Sequence, residues 1–253
     1  MSAHVTALRA SPVKGFPQSS VETLELVPGG IVEDRRFVLV QPDGKALYGA
    51  ELTALAGAEA AWDAGEGSLT LRFADGERAS ATVELGDEQT AYGYGRRAIP
   101  GRVVHGPLAQ ALSARLGSSV ALLAVAEGVG AIEAATVVSQ ASVDRVASEL
   151  GVPELDSRRF KMNVEIDGVE AHEEDGWDGG DVTIGEAVVR IAGPVPRCVL
   201  TTLDPVTLTR DLDVLRALLA YRKPMAGGNA PFGMYATVVR PGRVAVGDPV
   251  EPI

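Results

Sequence analysis

Short apolar runs, each stopped within a few residues by glycine, proline or an Asp-Gly pair, recur along the whole of this chain, and no other feature constrains its fold as tightly. With 29 glycines and 15 prolines spread over 253 residues, long uninterrupted helices are excluded, because Pro removes a backbone donor and Gly costs entropy inside a helix. In the first hundred residues the runs at 5–8, 21–26, 37–40 and 69–73 are apolar or alternating and read as strands. Asp43-Gly44 and Asp75-Gly76 are hairpin-turn pairs. The alanine-rich stretch 54–64, with Trp62, fits a helix or a covering loop equally.

Three segments do carry helical spacing. Residues 107–116 begin on Pro107, align Leu108, Ala111, Leu112 and Leu116 on one face, and stop at Gly117. Residues 142–150 place Ser142 as a cap before Val143, Val146 and Leu150, and end at Gly151-Val152-Pro153. Residues 212–222 turn Leu212, Leu215, Leu218 and Leu219 inward, with Pro224 just beyond. Strand-like runs at 163–166, 181–184, 188–192, 234–239 and 243–246 surround them. The predicted fold class is mainly β with a few helices, divided near residue 100 into a β-rich domain 1–100 and a second domain 101–253.

Charge and cysteine usage narrow the function. Against 34 Asp+Glu there are 23 Lys+Arg, a net charge of -11, which argues against a nucleic-acid partner. One cysteine permits neither an intrachain disulfide nor a thiolate cluster for zinc or iron-sulfur, and fits a reducing compartment. The N-terminal residues lack the apolar core of a secretory leader, and no run approaches the roughly 18 apolar residues of a membrane span. A cytoplasmic protein without a membrane partner is expected.

Common catalytic signatures are missing. Gly93-Tyr94-Gly95 lacks the rest of a dinucleotide fingerprint and reads as a turn, and neither a Walker A lysine nor a Gly-x-Ser-x-Gly elbow occurs. His4, His105 and His172 have no metal-ligand spacing. The run His172-Glu173-Glu174-Asp175 offers oxygen ligands to a divalent cation or forms a solvated turn before Trp177. More informative are basic residues beside Pro, Gly or Phe: Pro12-Val13-Lys14-Gly15, Asp34-Arg35-Arg36-Phe37, Arg158-Arg159-Phe160-Lys161 and Pro196-Arg197-Cys198. Brought together they form a local anion site in an acidic chain; left apart they are surface charges. Cys198, beside Arg197 and after Gly193-Pro194-Val195-Pro196, is placed as a nucleophile, a sulfur carrier or a soft metal ligand, or it is a small buried hydrophobe.

These segments, in this order, resemble the MOSC family, named for the C-terminal domain of molybdenum cofactor sulfurase. The resemblance includes Pro12-Val13-Lys14, Gly29-Gly30 leading to Asp34-Arg35, Ser139-Gln140-Ala141-Ser142, and Arg159-Phe160-Lys161-Met162-Asn163. It continues through Glu173-Glu174-Asp175-x-Trp177, Ile184-Gly185, Arg197-Cys198-Val199-Leu200-Thr201-Thr202-Leu203-Asp204-Pro205, Tyr221-Arg222, Phe232-Gly233-x-Tyr235 and Gly247-Asp248-Pro249. Each piece is weak alone; in order over nearly the whole chain they are specific. The resemblance implies a β-barrel with flanking helices, preceded by the smaller β-rich domain that accompanies it in many members.

It also implies a cofactor, the molybdenum cofactor (molybdopterin), a phosphorylated pterin dithiolene carrying the metal. By resemblance Cys198 is the molybdenum ligand or a sulfur-carrying thiol. Lys14, Arg35, Lys161 and Asn163 are pterin or phosphate contacts, Ser139 and Ser142 are further candidates, and Arg197 stabilises the thiolate or the pterin. Ser142 keeps its alternative role as a helix cap. Lys161-Met162 departs from the Arg-Pro of many relatives, which keeps the charge and loses the bidentate fork; Gly15 stands where some relatives place Ser.

The implied activity is reduction of N-oxygenated, N-hydroxylated small molecules by a molybdenum oxidoreductase served by a separate electron-donor protein. The alternative is a sulfur carrier or cofactor carrier, loaded by a cysteine desulfurase in the persulfide case. Cys198 serves either reading.

Overall fold

The computed structural model describes residues 2–47, 49–93, 97–126 and 133–253, and the chain forms two compact units. Met1–Ala10, Ser20–Val32 and Glu133–Ile253 make one; Ser11–Ser19 and Glu33–Ile132 make the other. Strands hold 44% of the described residues, and three α-helices occur among them, so the mainly-β expectation holds. Residue 100 lies inside the strand Ala98–His105, and the segment His4–Leu8 pairs with Val164–Asp167 far along the chain. Strand pairing, rather than position along the chain, decides which unit a segment joins.

In the unit holding 33–132, Phe37–Val40, Ala121–Val125, Ala98–His105 and Glu84–Tyr92 form an antiparallel sheet in that order. The turn at Asp43-Gly44, with Gly44 at φ 84, returns the chain so that Ala46 bridges Val40 and Lys45 bridges Tyr92. That segment joins the first strand to the last, and the sheet closes into a small ring around Val38, Val40, Ile99 and Leu123. Closure removes the unpaired edges an open sheet would expose. A second sheet of Glu59–Asp63, Ser68–Arg72 and Arg78–Thr82 turns at Asp75-Gly76. Helix α1, Pro107–Leu116, starts on proline, ends on Gly117 at φ 64 and buries Leu108 and Leu112, as its spacing predicts.

The stretch 54–64 is neither a helix nor a covering loop. It ends a 3-10 helix, Gly49–Leu55, and becomes the strand Glu59–Asp63. Small alanines hide the strand alternation, and Trp62 packs edge-on against Phe37 at 5.2 Å. Tyr94 and Gly95 of the Gly93-Tyr94-Gly95 turn lie outside the described residues.

The other unit carries an eight-stranded sheet in the order Val250–Pro252, Asp181–Ile184, Ala187–Arg197, Ala230–Arg240, Ala135–Ser139, Val164–Asp167, His4–Ala10 and Ser19–Val21. His4 bridges Pro249 and the Val5 N–H donates to the Asp248 carbonyl at 2.9 Å, so the sheet curls back towards its own beginning. Val5, Leu8, Val164, Ile166, Val182 and Ile191 fill the inside, each burial worth about 1.5–3 kcal/mol. The run predicted at 21–26 splits: Ser19–Val21 joins this sheet and Thr23–Val27 joins a three-stranded one. Helices α2 (Gln140–Leu150) and α3 (Val214–Tyr221) pack Val143, Val146 and Leu218 against Phe160 and Phe232.

One boundary matters for function. The strand predicted at 188–192 runs on to Arg197, because register breaks against Ala230–Arg240 accommodate Pro194 and Pro196. Cys198 is therefore the first residue beyond a long strand. Among the described residues no helix is long and apolar enough to cross a membrane.

Candidate functional site

Cys198 is exposed and free. Its carbonyl accepts the Thr201 N–H and hydroxyl at 3.2 and 3.0 Å, closing a 3-10 turn, Val199–Thr202. Beside it Arg197 is 8% exposed. Its guanidinium donates to the Phe232 carbonyl at 2.9 Å, the Phe160 carbonyl at 2.6 Å and the Met162 sulfur at 2.6 Å. These acceptors are neutral, and among the described residues no carboxylate forms an ion pair with Arg197. Burial pulls the guanidinium down to about 10, while Tyr235 and then Cys198 act the other way. A buried cation held only by neutral acceptors is costly, and it leaves positive potential at the root of an exposed thiol.

The segment held by Arg197 carries Lys161. Asp156 caps the 3-10 turn Ser157–Phe160, and Lys161 ends it in the left-handed conformation, φ 48. That conformation costs a non-glycine residue about 1–2 kcal/mol, and buried Phe160 and Met162 on either side leave the lysine on the surface. The two arginines of the same run are committed elsewhere. Arg158 turns back onto Asp156, and Arg159 donates to Asp211 and to the Leu203 carbonyl.

Ser139, Ser142 and Asn163 are fully buried structural groups. Ser139, not Ser142, caps α2, its hydroxyl accepting the Ser142 N–H. Both hydroxyls donate to Glu174, at 2.9 and 2.7 Å, while Ser142 Oγ accepts the His172 N–H at 2.7 Å. Glu174 is 0% exposed, so the acidic run is no solvated turn at that position. It offers no cation cage either: Asp175 pairs with Arg222, and among the described residues no metal-binding cluster of His, Cys, Asp and Glu occurs. The Asn163 amide bonds the Thr136 hydroxyl at 3.0 Å and the Arg9 carbonyl at 3.1 Å, tying strands of the eight-stranded sheet together.

Lys14 and Arg35 belong to the other unit, and there the structure does bring them together. Val13 bridges Phe37 in parallel, the Lys14 N–H donates to the Phe37 carbonyl and the Arg35 N–H to the Ser11 carbonyl. Asp34 bonds the Ser11 N–H at 2.8 Å and pairs with Arg35 at 2.9 Å. Burial first, then the positive fields of Arg35 and Arg97, lower the Lys14 ammonium to about 8. Arg97 is a third cation of this cluster that sequence reading missed; it sits in no motif, and only the ring of strands brings it near Lys14.

The MOSC domain family matches residues 127–251, and the MOSC N-terminal beta barrel domain matches residues 2–117. The chain belongs to the MOSC family. Among curated relatives, it is 40% identical over 98 residues to mitochondrial amidoxime reducing component 2 of Rattus norvegicus, covering 36% of this chain and 28% of that protein. It is 34% identical over 79 residues to molybdenum cofactor sulfurase of Homo sapiens, covering 31% of this chain and 8% of that protein. The MOSC chain thus spans well under half the length of these relatives. Among solved structures, the YUAD protein from Bacillus subtilis aligns with a TM-score of 0.49 and 16% identity, covering 100% of this chain and 96% of that one.

Proposed function

We propose that this MOSC protein binds the molybdenum cofactor through Cys198 and reduces N-hydroxylated small molecules, with electrons from a separate donor protein. The observation that carries the reading is the exposed Cys198 thiol standing directly after the buried Arg197, a cation with neutral acceptors only. A cysteine sulfur is a soft ligand suited to such a metal. The likeness to an amidoxime reducing component supports the choice of substrate class.

When bound, the cofactor supplies a centre able to take an oxygen atom and to accept electrons one at a time. The protein's own part is binding and orientation. Cys198 offers its sulfur, and Lys161 presents a positive charge from the neighbouring turn. Within the other unit, Lys14, Arg35 and Arg97 form a cluster suited to a phosphate group. Ser139, Ser142 and Asn163 receive no ligand contact in this proposal, because their polar groups are buried and engaged.

The match to molybdenum cofactor sulfurase, together with the accessibility of the thiol, favours one second reading: Cys198 carries sulfur as a persulfide, supplied by a desulfurase, or holds the cofactor in transit. Elemental analysis of purified protein and benzamidoxime turnover with an artificial electron donor separate the two. About one molybdenum per chain with turnover is expected for the enzyme. A Cys198 persulfide without molybdenum supports sulfur transfer, and bound molybdenum without turnover supports the cofactor carrier.

A further inference from the structure

The residues flanking Lys161 are tied to the residues flanking Cys198. Two positions before Lys161, Arg159 reaches past the Cys198 turn: Nη1 donates to Asp211 Oδ1 at 2.8 Å and to the Leu203 carbonyl at 2.8 Å, and Nη2 to Asp211 Oδ2. On either side of Lys161, the Phe160 carbonyl and the Met162 sulfur accept from Arg197, the residue before Cys198. The Cys198 turn is thus fastened on both sides, through Arg197 and through Leu203, to the segment that carries Lys161. The Arg159 side chain is only 4% exposed.

The loop closing this arrangement is itself tightly bonded. Leu203 bridges Arg210, the Asp204 N–H donates to the Thr209 carbonyl at 2.8 Å and the Asp211 N–H to the Thr202 carbonyl at 3.3 Å. Asp204 Oδ1 accepts the Val206 and Thr207 N–H groups at 3.0 and 2.7 Å. This bonding fixes the backbone that follows Cys198.

We infer that Arg159 and Asp211 are positioning residues, a clamp that holds the Lys161 cation and the Cys198 thiol as one preorganised two-point site for an anionic ligand carrying a thiophilic centre. Preorganisation of this kind raises affinity by removing the entropy cost of ordering both turns at binding. The identity of the ligand rests on the cofactor reading above; the clamp itself does not.

The test uses the full chain with Asp211→Asn, which keeps the shape and removes the charge, and Asp211→Glu, which restores it. In cofactor-free protein, hydrogen exchange of the Thr201, Leu203 and Asp204 amides should rise about tenfold in Asp211→Asn, roughly 1.4 kcal/mol of local stability. Exchange in Ala187–Arg197 should stay unchanged, and Asp211→Glu should recover most of the protection. Unchanged exchange at those three amides overturns the clamp, whatever the ligand. In molybdenum-loaded protein, Asp211→Asn and Lys161→Gln should each speed loss of metal on dilution about tenfold, and the double variant by no more than the faster single one. A hundredfold, multiplicative loss in the double variant overturns the coupling to Lys161. A wild-type chain that takes up no molybdenum removes the cofactor reading and leaves the exchange result to decide the clamp.

Discussion

The Ser142 hydroxyl donates to the Glu174 carboxylate at 2.7 Å, with both residues fully buried. Ser139 completes the arrangement through its own hydroxyl and N–H, so one carboxylate from the turn Glu173–Trp177 fastens the start of α2.

Removing one donor from that carboxylate leaves buried polarity unpaid. Ser142→Ala should cost about 1–3 kcal/mol, read from urea unfolding, while molybdenum content per folded chain stays at the wild-type level. A stability change below about 0.5 kcal/mol, or selective metal loss, contradicts the structural role.

Cys198→Ala is expected to behave in the opposite way. The side chain is exposed, so stability should shift by no more than about 0.5 kcal/mol. Bound molybdenum and turnover should both disappear. Retention of both in the folded variant removes the thiol from the mechanism.

Lys14 gives a pH dependence of definite sign. Its pKa is lowered from 10.5 to about 8, so between those values the unfolded chain binds more protons than the folded one. The contribution of this group to stability therefore rises as pH climbs from about 8 towards 10.5. Anion binding runs the other way, because it needs the ammonium. Affinity of the cluster for inorganic phosphate, measured by calorimetry, should fall as pH rises through about 8 and lose most of that dependence in Lys14→Gln. A flat wild-type profile from pH 7 to 9 counts against Lys14 as the anion contact.

His172 acts on the acid side. Burial, reinforced by Arg222 and Arg145 and opposed by Asp175, lowers its pKa from 6.5; its Nε2 lies 3.2 Å from the Tyr221 hydroxyl, itself pushed up to about 12 chiefly by burial. The unfolded histidine protonates near 6.5 while the folded one resists, so stability falls as pH drops below that value. The loss between pH 7 and 5 should be smaller in His172→Gln, measured by thermal or urea unfolding. An equal loss assigns the acid sensitivity to other groups.

The linear sequence determined the elements whose cause is local. Pro107 and Gly117 bound α1, Asp43-Gly44 and Asp75-Gly76 turn their strands, and the spacing of short apolar runs fixes a mainly-β chain. Ordered motifs also marked Cys198, Lys14, Arg35 and Lys161. Only the tertiary structure decided what the other residues of those motifs contact, because a side chain's partner is chosen by strand pairing and burial across long stretches of chain. Asn163 and Ser139 stand in motifs beside Lys161 and Ser142, yet burial commits them to holding strands and a helix cap. Arg159 looks like one more surface cation until the fold brings Asp211 and the Leu203 carbonyl to it, and Arg97 joins Lys14 only once a ring of strands has closed.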